Sequence, residues 1–295
     1  MTIRTKTRTS PSPSTTAATS AASGTEPAAR FRDLLAAEWL KLWSLRSTVW
    51  AYVIGTLVVV GFNVGATYDR YRYWTAHNAA DRADFIADGI AHQYAYTGNA
   101  GMIMMLAAGA IGAVAITGEY GTGLIRTTFA AVPARRSVMA AKVGVLTLVM
   151  TGYGAVVAGL SFWLSQAILA RRDAGVSLSD PGSARLVVAS ALLAPVCGLV
   201  GMAIGVLLRH GGATIVTVVV VLLVVPLVFA DDRHWTAVVD HALPSSAWLR
   251  LIDTRDGPVM GVPYPWTVGG AWTVFALWAL GAAAVAVFAA PRRDL

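Results

Sequence analysis

The stretch TIVTVVVVLLVVPLVF, Thr214–Phe229, decides the fold. Its β-branched residues would suit a buried strand in water, but the run is too long for one and shows no alternation between two faces. In a bilayer a helix pairs its own backbone groups and an isolated strand does not, so the run reads as a membrane-spanning helix. Five further apolar runs approach or exceed the roughly 20 residues that cross a hydrocarbon core. They lie at about 48–67, 99–118, 143–168, 186–208 and 270–290, with the first-named run extending over 213–230. Composition agrees: 56% of the 295 residues are hydrophobic and 13% charged, and the mean hydropathy is +0.60, far from the balance of a soluble domain. A transmembrane barrel would need many alternating segments of about 10 residues, and the sequence has none. The expected fold class is an all-α integral membrane protein with six transmembrane helices, preceded by an amphipathic interfacial helix, and with both termini cytoplasmic.

That orientation follows from the basic residues, which stay on the cytoplasmic side of span ends. With the termini inside, the inner segments carry most of the Lys and Arg, and Glu26, Asp33, Glu38, Glu119 and Asp294 are their only acids. The net charge of +7 then reflects topology and anionic headgroups, not nucleic acid. Residues 1–29 are basic at their start, but Ser, Thr, Pro and Ala stand where the apolar core of a signal peptide would be. They read as a disordered tail and not as a cleaved leader. Cys197, the only cysteine, lies inside a span, which rules out an intramolecular disulfide and a cysteine-based zinc site.

Residues 30–46, RFRDLLAAEWLKLWSLR, place Phe31, Leu34, Leu35, Leu42 and Leu45 on one helical face, with Trp39, Trp43 and Trp50 suited to the headgroup region. Glu38 falls near that apolar face and needs a partner that the sequence does not name. On the outer side, Tyr68, Tyr71, Tyr73, Trp74, Tyr94 and Tyr96 bracket the first loop and read as an aromatic belt. No span carries an Asp, Glu, Lys, Arg or His near its middle, which argues against a proton-coupled antiporter or a pump with its own carboxylate relay. Gly109, Gly112, Gly198, Gly201 and Gly205 permit close helix approach. Pro195 and Pro226 are expected to kink their helices.

The most specific segment is EYGTGLIRTTFAAVPARRSVMAAK, Glu119–Lys142, between the second and third spans. Gly121 and Gly123 predict a sharp turn, LIRTTFAAV a short interfacial helix, and Pro133 a break. Arg126, Arg135, Arg136 and Lys142 would anchor it among headgroups. Glu119 is unusual on this positive face; an ion pair with Arg126 or Lys142 and a contact with another protein both remain open.

Glu119 closing the second span, Gly121-Thr122-Gly123 after it, the IRTT segment around Arg126, and Pro133-x-Arg135-Arg136 with Lys142 behind resemble the type-2 permeases of ATP-binding-cassette transporters. The pre-span AEWLKLWSLRST around Glu38, Trp39 and Lys41 and the six-span plan extend the resemblance over most of the chain. In that family the loop after the second span forms a coupling helix on the ATPase and the pre-span helix an elbow. The resemblance therefore implies that residues 120–134, including Tyr120, contact an ATPase subunit and that Glu119 fixes the loop. It implies a permease subunit, of an exporter, in the plasma membrane of bacterial inner-membrane type. A second permease chain is also implied, a homodimer in preference to a heterodimer. It further implies irregular helices on the outer side between the last two spans, where 231–269 is an extracellular loop and HWTAVVDHALPSSAWLRLI contains Pro244.

The chain has no Gly-x-x-x-x-Gly-Lys-Ser/Thr phosphate-cradling loop, so ATP and magnesium belong to the partner and this chain carries no cofactor and no catalytic residues. A membrane-embedded enzyme is the rival class: His234 and His241 lie near Asp231, Asp232 and Asp240, but no zinc-protease motif or nucleophile elbow is present. A non-transporting anchor or sensor subunit is the other alternative.

Overall fold

The computed structural model describes residues 30–44, 46–75, 78–229, 233–254 and 264–293. The N-terminal tail, Asp231, Asp232 and the 255–263 part of the last loop lie outside the described residues. Everything described is helix or short connection, with no strand among the described residues. Six helical stretches are long and apolar enough to cross a membrane: Arg46–Arg72, Ile90–Thr122, Arg135–Arg172, Ser183–Leu208, Gly211–Val228 and Val268–Ala290. The chain is thus a multi-pass membrane protein by length and composition.

A first helix, α1 (Phe31–Ser44), precedes the first span, α2 (Arg46–Arg72). Two short helices, α3 (Ala79–Ala87) and α4 (Ile90–Ala95), lead into α5 (Gly98–Thr122). Asn78 caps α3, its side chain accepting from the Asp81 backbone N–H. Then come α6 (Leu124–Ala131), α7 (Arg135–Leu169) and α8 (Ser183–Leu208). The fifth span is broken into α9 (Gly211–Val219), a π-helical turn (Val220–Val224) and α10 (Val225–Val228). After it follow α11 (His234–His241), α12 (Pro244–Ile252) and α13 (Val268–Arg293).

The helix α8 is the axis of the bundle, packed against α5, α7, α12 and α13. Lipid offers apolar side chains no hydrophobic gain on meeting each other, so close association needs backbones that can approach. Glycine supplies that approach. A Cβ on Gly112 would stand 1.9 Å from the Gly198 carbonyl oxygen, one on Gly201 1.9 Å from the Gly109 oxygen, and one on Gly154 2.0 Å from the Ala191 oxygen. Four of the five glycines singled out in the sequence form the α5–α8 seam, and Gly205 continues it against Ile116.

The fifth span departs from a regular helix one turn before Pro226. Proline has no N–H for the carbonyl four residues earlier, and a wider turn over Val220–Val224 absorbs the mismatch. Pro195, by contrast, sits inside the continuous helix α8.

Between the last two spans the described residues form two short helices, as the resemblance implies. The helices α11 and α12 form a hairpin whose turn, at exposed Ala242 and buried Leu243, lies against α13. The Ala242 carbonyl accepts from Trp278 Nε1 at 2.7 Å, and Trp278 lies ten residues inside α13. Pro244 opens α12, where its missing N–H costs nothing. Farther along α12, Trp248 is 1% exposed. It donates to Ser190 Oγ at 3.2 Å and meets Tyr96 edge to face, with ring centroids 5.6 Å apart. Its ring fills the notch left by Gly101, where a Cβ would come within 2.2 Å of it. Tyr96 is therefore part of the core, not of the aromatic belt, whereas Tyr68 and Tyr73 are exposed.

Candidate functional site

The sequence places Glu38, Glu119 and Lys142 on three separate elements, and the fold brings them together with Lys41. Lys142 Nζ donates to Glu38 Oε2 at 2.5 Å and to Glu119 Oε1 at 2.7 Å. Lys41 Nζ reaches Glu38 Oε1 at 2.7 Å and Glu119 Oε1 at 3.6 Å. The side chains of Lys142, Glu38 and Glu119 are 8%, 6% and 12% exposed, so only Lys41, at 30%, is partly in contact with the surroundings.

Two cations and two carboxylates cancel. Charges taken out of water are costly singly, and become tolerable when each is paired and hydrogen-bonded. Burial alone would lower the Lys41 pKa, but its bond to Glu38 and the nearby Glu119 outweigh that and hold it above its ordinary value of 10.5. Lys41 is thus charged at neutral pH.

Each partner arrives for a local reason. In α1 the inward line is Leu34, Glu38, Lys41 and Leu42, at helical spacing. Phe31, expected on the apolar face, is 51% exposed, as are Trp39 (43%) and Trp43 (41%), which pack on each other with ring centroids 5.8 Å apart. The buried face of α1 is therefore organised about a carboxylate more than about an apolar stripe. Glu119 stands in the last turn of α5, and Lys142 two turns inside α7. Helix α5 continues through Tyr120, Gly121 and Thr122, whose hydroxyl donates back to the Gly118 carbonyl. The reversal falls on Gly123 alone, at φ 73°, a left-handed conformation that a Cβ would strain. Gly121 is helical, so the turn predicted for both glycines belongs to one.

From that turn α6 runs for two turns, Leu124–Ala131. Ile125 and Phe129, four residues apart, are buried, whereas Leu124, Arg126, Thr127 and Ala130 are exposed. Arg126 takes no part in the ion cluster; Glu119 pairs with Lys142 instead. The cause is geometric: Glu119, in the last turn of α5, lies within reach of Lys142 of α7, and Arg126 is on the exposed side of α6. Arg135 and Arg136 belong to the first turn of α7, not to a loop, because the short break at Val132–Ala134 around exposed Pro133 already separates the helices. Their guanidinium groups lie over Phe129 (5.6 Å) and Phe288 (5.5 Å). Arg209, closing α8, lies over Tyr120 at 5.2 Å. This face of the molecule thus carries the ends of α5, α8 and α13 and the start of α7.

Sequence reasoning passed over Asn63. It is fully buried in α2, its amide donates to Ser161 Oγ at 3.0 Å, and its carbonyl oxygen accepts from the Thr97 backbone N–H at 2.9 Å and the Thr97 hydroxyl at 3.1 Å. One side chain therefore joins α2, α7 and the start of α5. The signal was an asparagine inside the apolar run VVVGFNVGA, a residue that glues membrane helices. His241 stacks on Trp266 with centroids 4.5 Å apart, and His234 meets Tyr264 edge-on. No group of three His, Cys, Asp or Glu side chains converges as metal ligands would among the described residues.

The chain matches no protein-family model, and no curated protein is significantly similar to it. Its function is therefore argued from the site.

Proposed function

We propose that this chain is the permease subunit of an ATP-binding-cassette exporter of the type-2 class, in the plasma membrane of a bacterium, with the α6 face cytoplasmic. In this reading α6 is the coupling helix and α1 the elbow. The observation that carries the reading is the relation of α6 to the ion cluster. The helix is exposed along Arg126, Thr127 and Ala130, while the helices that flank it carry Glu119 and Lys142 near their adjoining ends, paired with each other and, through Lys142, with Glu38 of α1. A push on α6 is delivered to α5, α7 and α1 as one body.

Transport uphill then needs an ATPase on another polypeptide, where ATP and magnesium bind. Differential affinity of ATP for one arrangement of the assembly shifts the populations of inward- and outward-open states. A second permease chain, an identical copy in this reading, completes the path. The broken fifth span and the α11–α12 hairpin are the elements least like rigid rods, and are suited to adjust as the halves rock.

Gentle purification of the tagged chain from its native membranes tests the proposal. The expected result is equal-stoichiometry recovery of a polypeptide with a phosphate-binding loop and ATPase activity, reduced by Arg126→Ala. Well-folded chain recovered with no such partner would favour an anchor or sensor subunit.

A further inference from the structure

At the end of the bundle opposite the ion cluster, side chains from three spans tie down the short helix α4. Gln166 of α7 donates to the Ala91 carbonyl at 2.9 Å, and Thr67 of α2 donates to the Tyr94 carbonyl at 3.0 Å. The third tie is made by α4 itself: His92 Nε2 meets Ser183 Oγ, on the first residue of α8, at 2.9 Å. The connection between α7 and α8 is held in the same place. Val176 N–H donates to Gln166 Oε1, and Ser183 N–H to the Asp180 carbonyl. Of these groups the imidazole is the one that gains a proton in mild acid.

The site accepts a neutral ring and has no place for a charged one. His92 and Ser183 are both buried, and a neutral imidazole can serve the hydroxyl as donor or as acceptor. A second proton would sit on Nδ1, which is buried and has no hydrogen-bond partner. The charge would also lie against the N-terminus of α8, the positive end of that helix. Two charged groups act on the ring: Asp180, which favours a charge there, and Arg185, which opposes it. Both are already engaged, Asp180 by the Ser177 N–H and Arg185 by the Asp253 carbonyl. The other elements packed on α4 present neutral Gln166 and Thr67, while Asp84 and Asp88, on and just after α3, are exposed.

We infer that His92 is a proton-operated clasp: neutral, it holds α4 to the start of α8, and a proton taken up from the compartment at this end of the bundle releases the two. The release acts on two spans, because α4 leads into α5 and Ser183 opens α8. It requires no ATPase partner, so the inference and the proposed function fail separately.

The test is amide hydrogen exchange of the purified full chain in phosphatidylcholine nanodiscs at neutral and at mildly acid pH, with rates corrected for the intrinsic pH dependence of exchange. An opened site takes up its proton at the ordinary histidine value of about 6.5, so lowering the pH to about 5 should speed opening exchange by about 10- to 30-fold. The faster exchange is expected in peptides that carry His92 and Ser183, and not in the α5–α8 seam around Gly112 and Gly201. His92→Gln keeps a polar contact for Ser183 and takes no charge in this range, so it should abolish the acid effect; His92→Asn serves in the same way if the glutamine variant does not fold. His210, His234 and His241 remain in both variants, so the difference belongs to His92. Native chain that shows no acid effect at these peptides would overturn the inference, as would the same effect in the variants or an equal effect in the seam.

Discussion

Lys142 and Glu38 stand 104 positions apart in the chain and 2.5 Å apart in the fold. The pair fixes the helix before the first span to the third span, and through Glu119 it also fixes the end of the second.

Replacing Lys142 by Met leaves Glu38 and Glu119 facing each other with only the partly exposed Lys41 between them. Removing one partner of a buried pair costs about 3–5 kcal/mol. The variant is expected to lose thermal stability in detergent, read by fluorescence-detected size exclusion after heating. Lys142→Met combined with Glu38→Gln should recover part of the loss, because the double change removes a carboxylate with the cation.

Lys41 gives the cluster a pH dependence. Its pKa is raised on folding, so its contribution to stability is complete below the ordinary lysine value of 10.5 and is lost as pH rises through the higher folded value. The stability difference between the native chain and Lys41→Met should stay level from neutral pH to about 10 and shrink above 10.5. Thermal melts across that interval check it, and a difference that grew with pH would reverse the assignment.

Asn63→Leu keeps the volume and removes every polar atom. The Thr97 backbone N–H and hydroxyl then lose their acceptor, at a cost of about 1–3 kcal/mol. Lower melting temperature is expected, with α5 cleaved more readily near Thr97 in limited proteolysis.

The α5–α8 seam tolerates no side chain. Gly112→Ala sets a methyl against the Gly198 backbone, which cannot rotate away as a side chain could. Overpacking of this kind costs about 1–3 kcal/mol or more. Gly118→Ala, on the same helix with open space around it, should be neutral. Parallel melts of the two variants separate packing from helix propensity.

Much of the architecture was legible because the bilayer leaves few choices. Each long apolar run had to be a helix, and all six correspond to helices. Their ends were less legible: α5 and α7 run on through Thr122 and from Arg135, because polar residues near headgroups do not stop a helix. The helices α11 and α12 were expected from the resemblance, but their packing was not legible, because partners of their polar atoms such as Trp278 and Ser190 lie on distant elements. At the ion cluster, the residue types were visible but the pairing was not. Arg126 is nearer to Glu119 in sequence than Lys142 is, and helix direction, not chain distance, chose between them.

A photo-crosslinking amino acid placed at Thr127, on the exposed face of α6, tests the central claim most directly. Irradiated in native membranes, it is expected to join the chain to a polypeptide that carries a phosphate-binding loop, while the same group at Leu148 on the exposed face of α7 joins it to none. Thr127 adducts to lipid alone, in cells where the chain is folded and abundant, would contradict the assignment of α6 as the coupling helix.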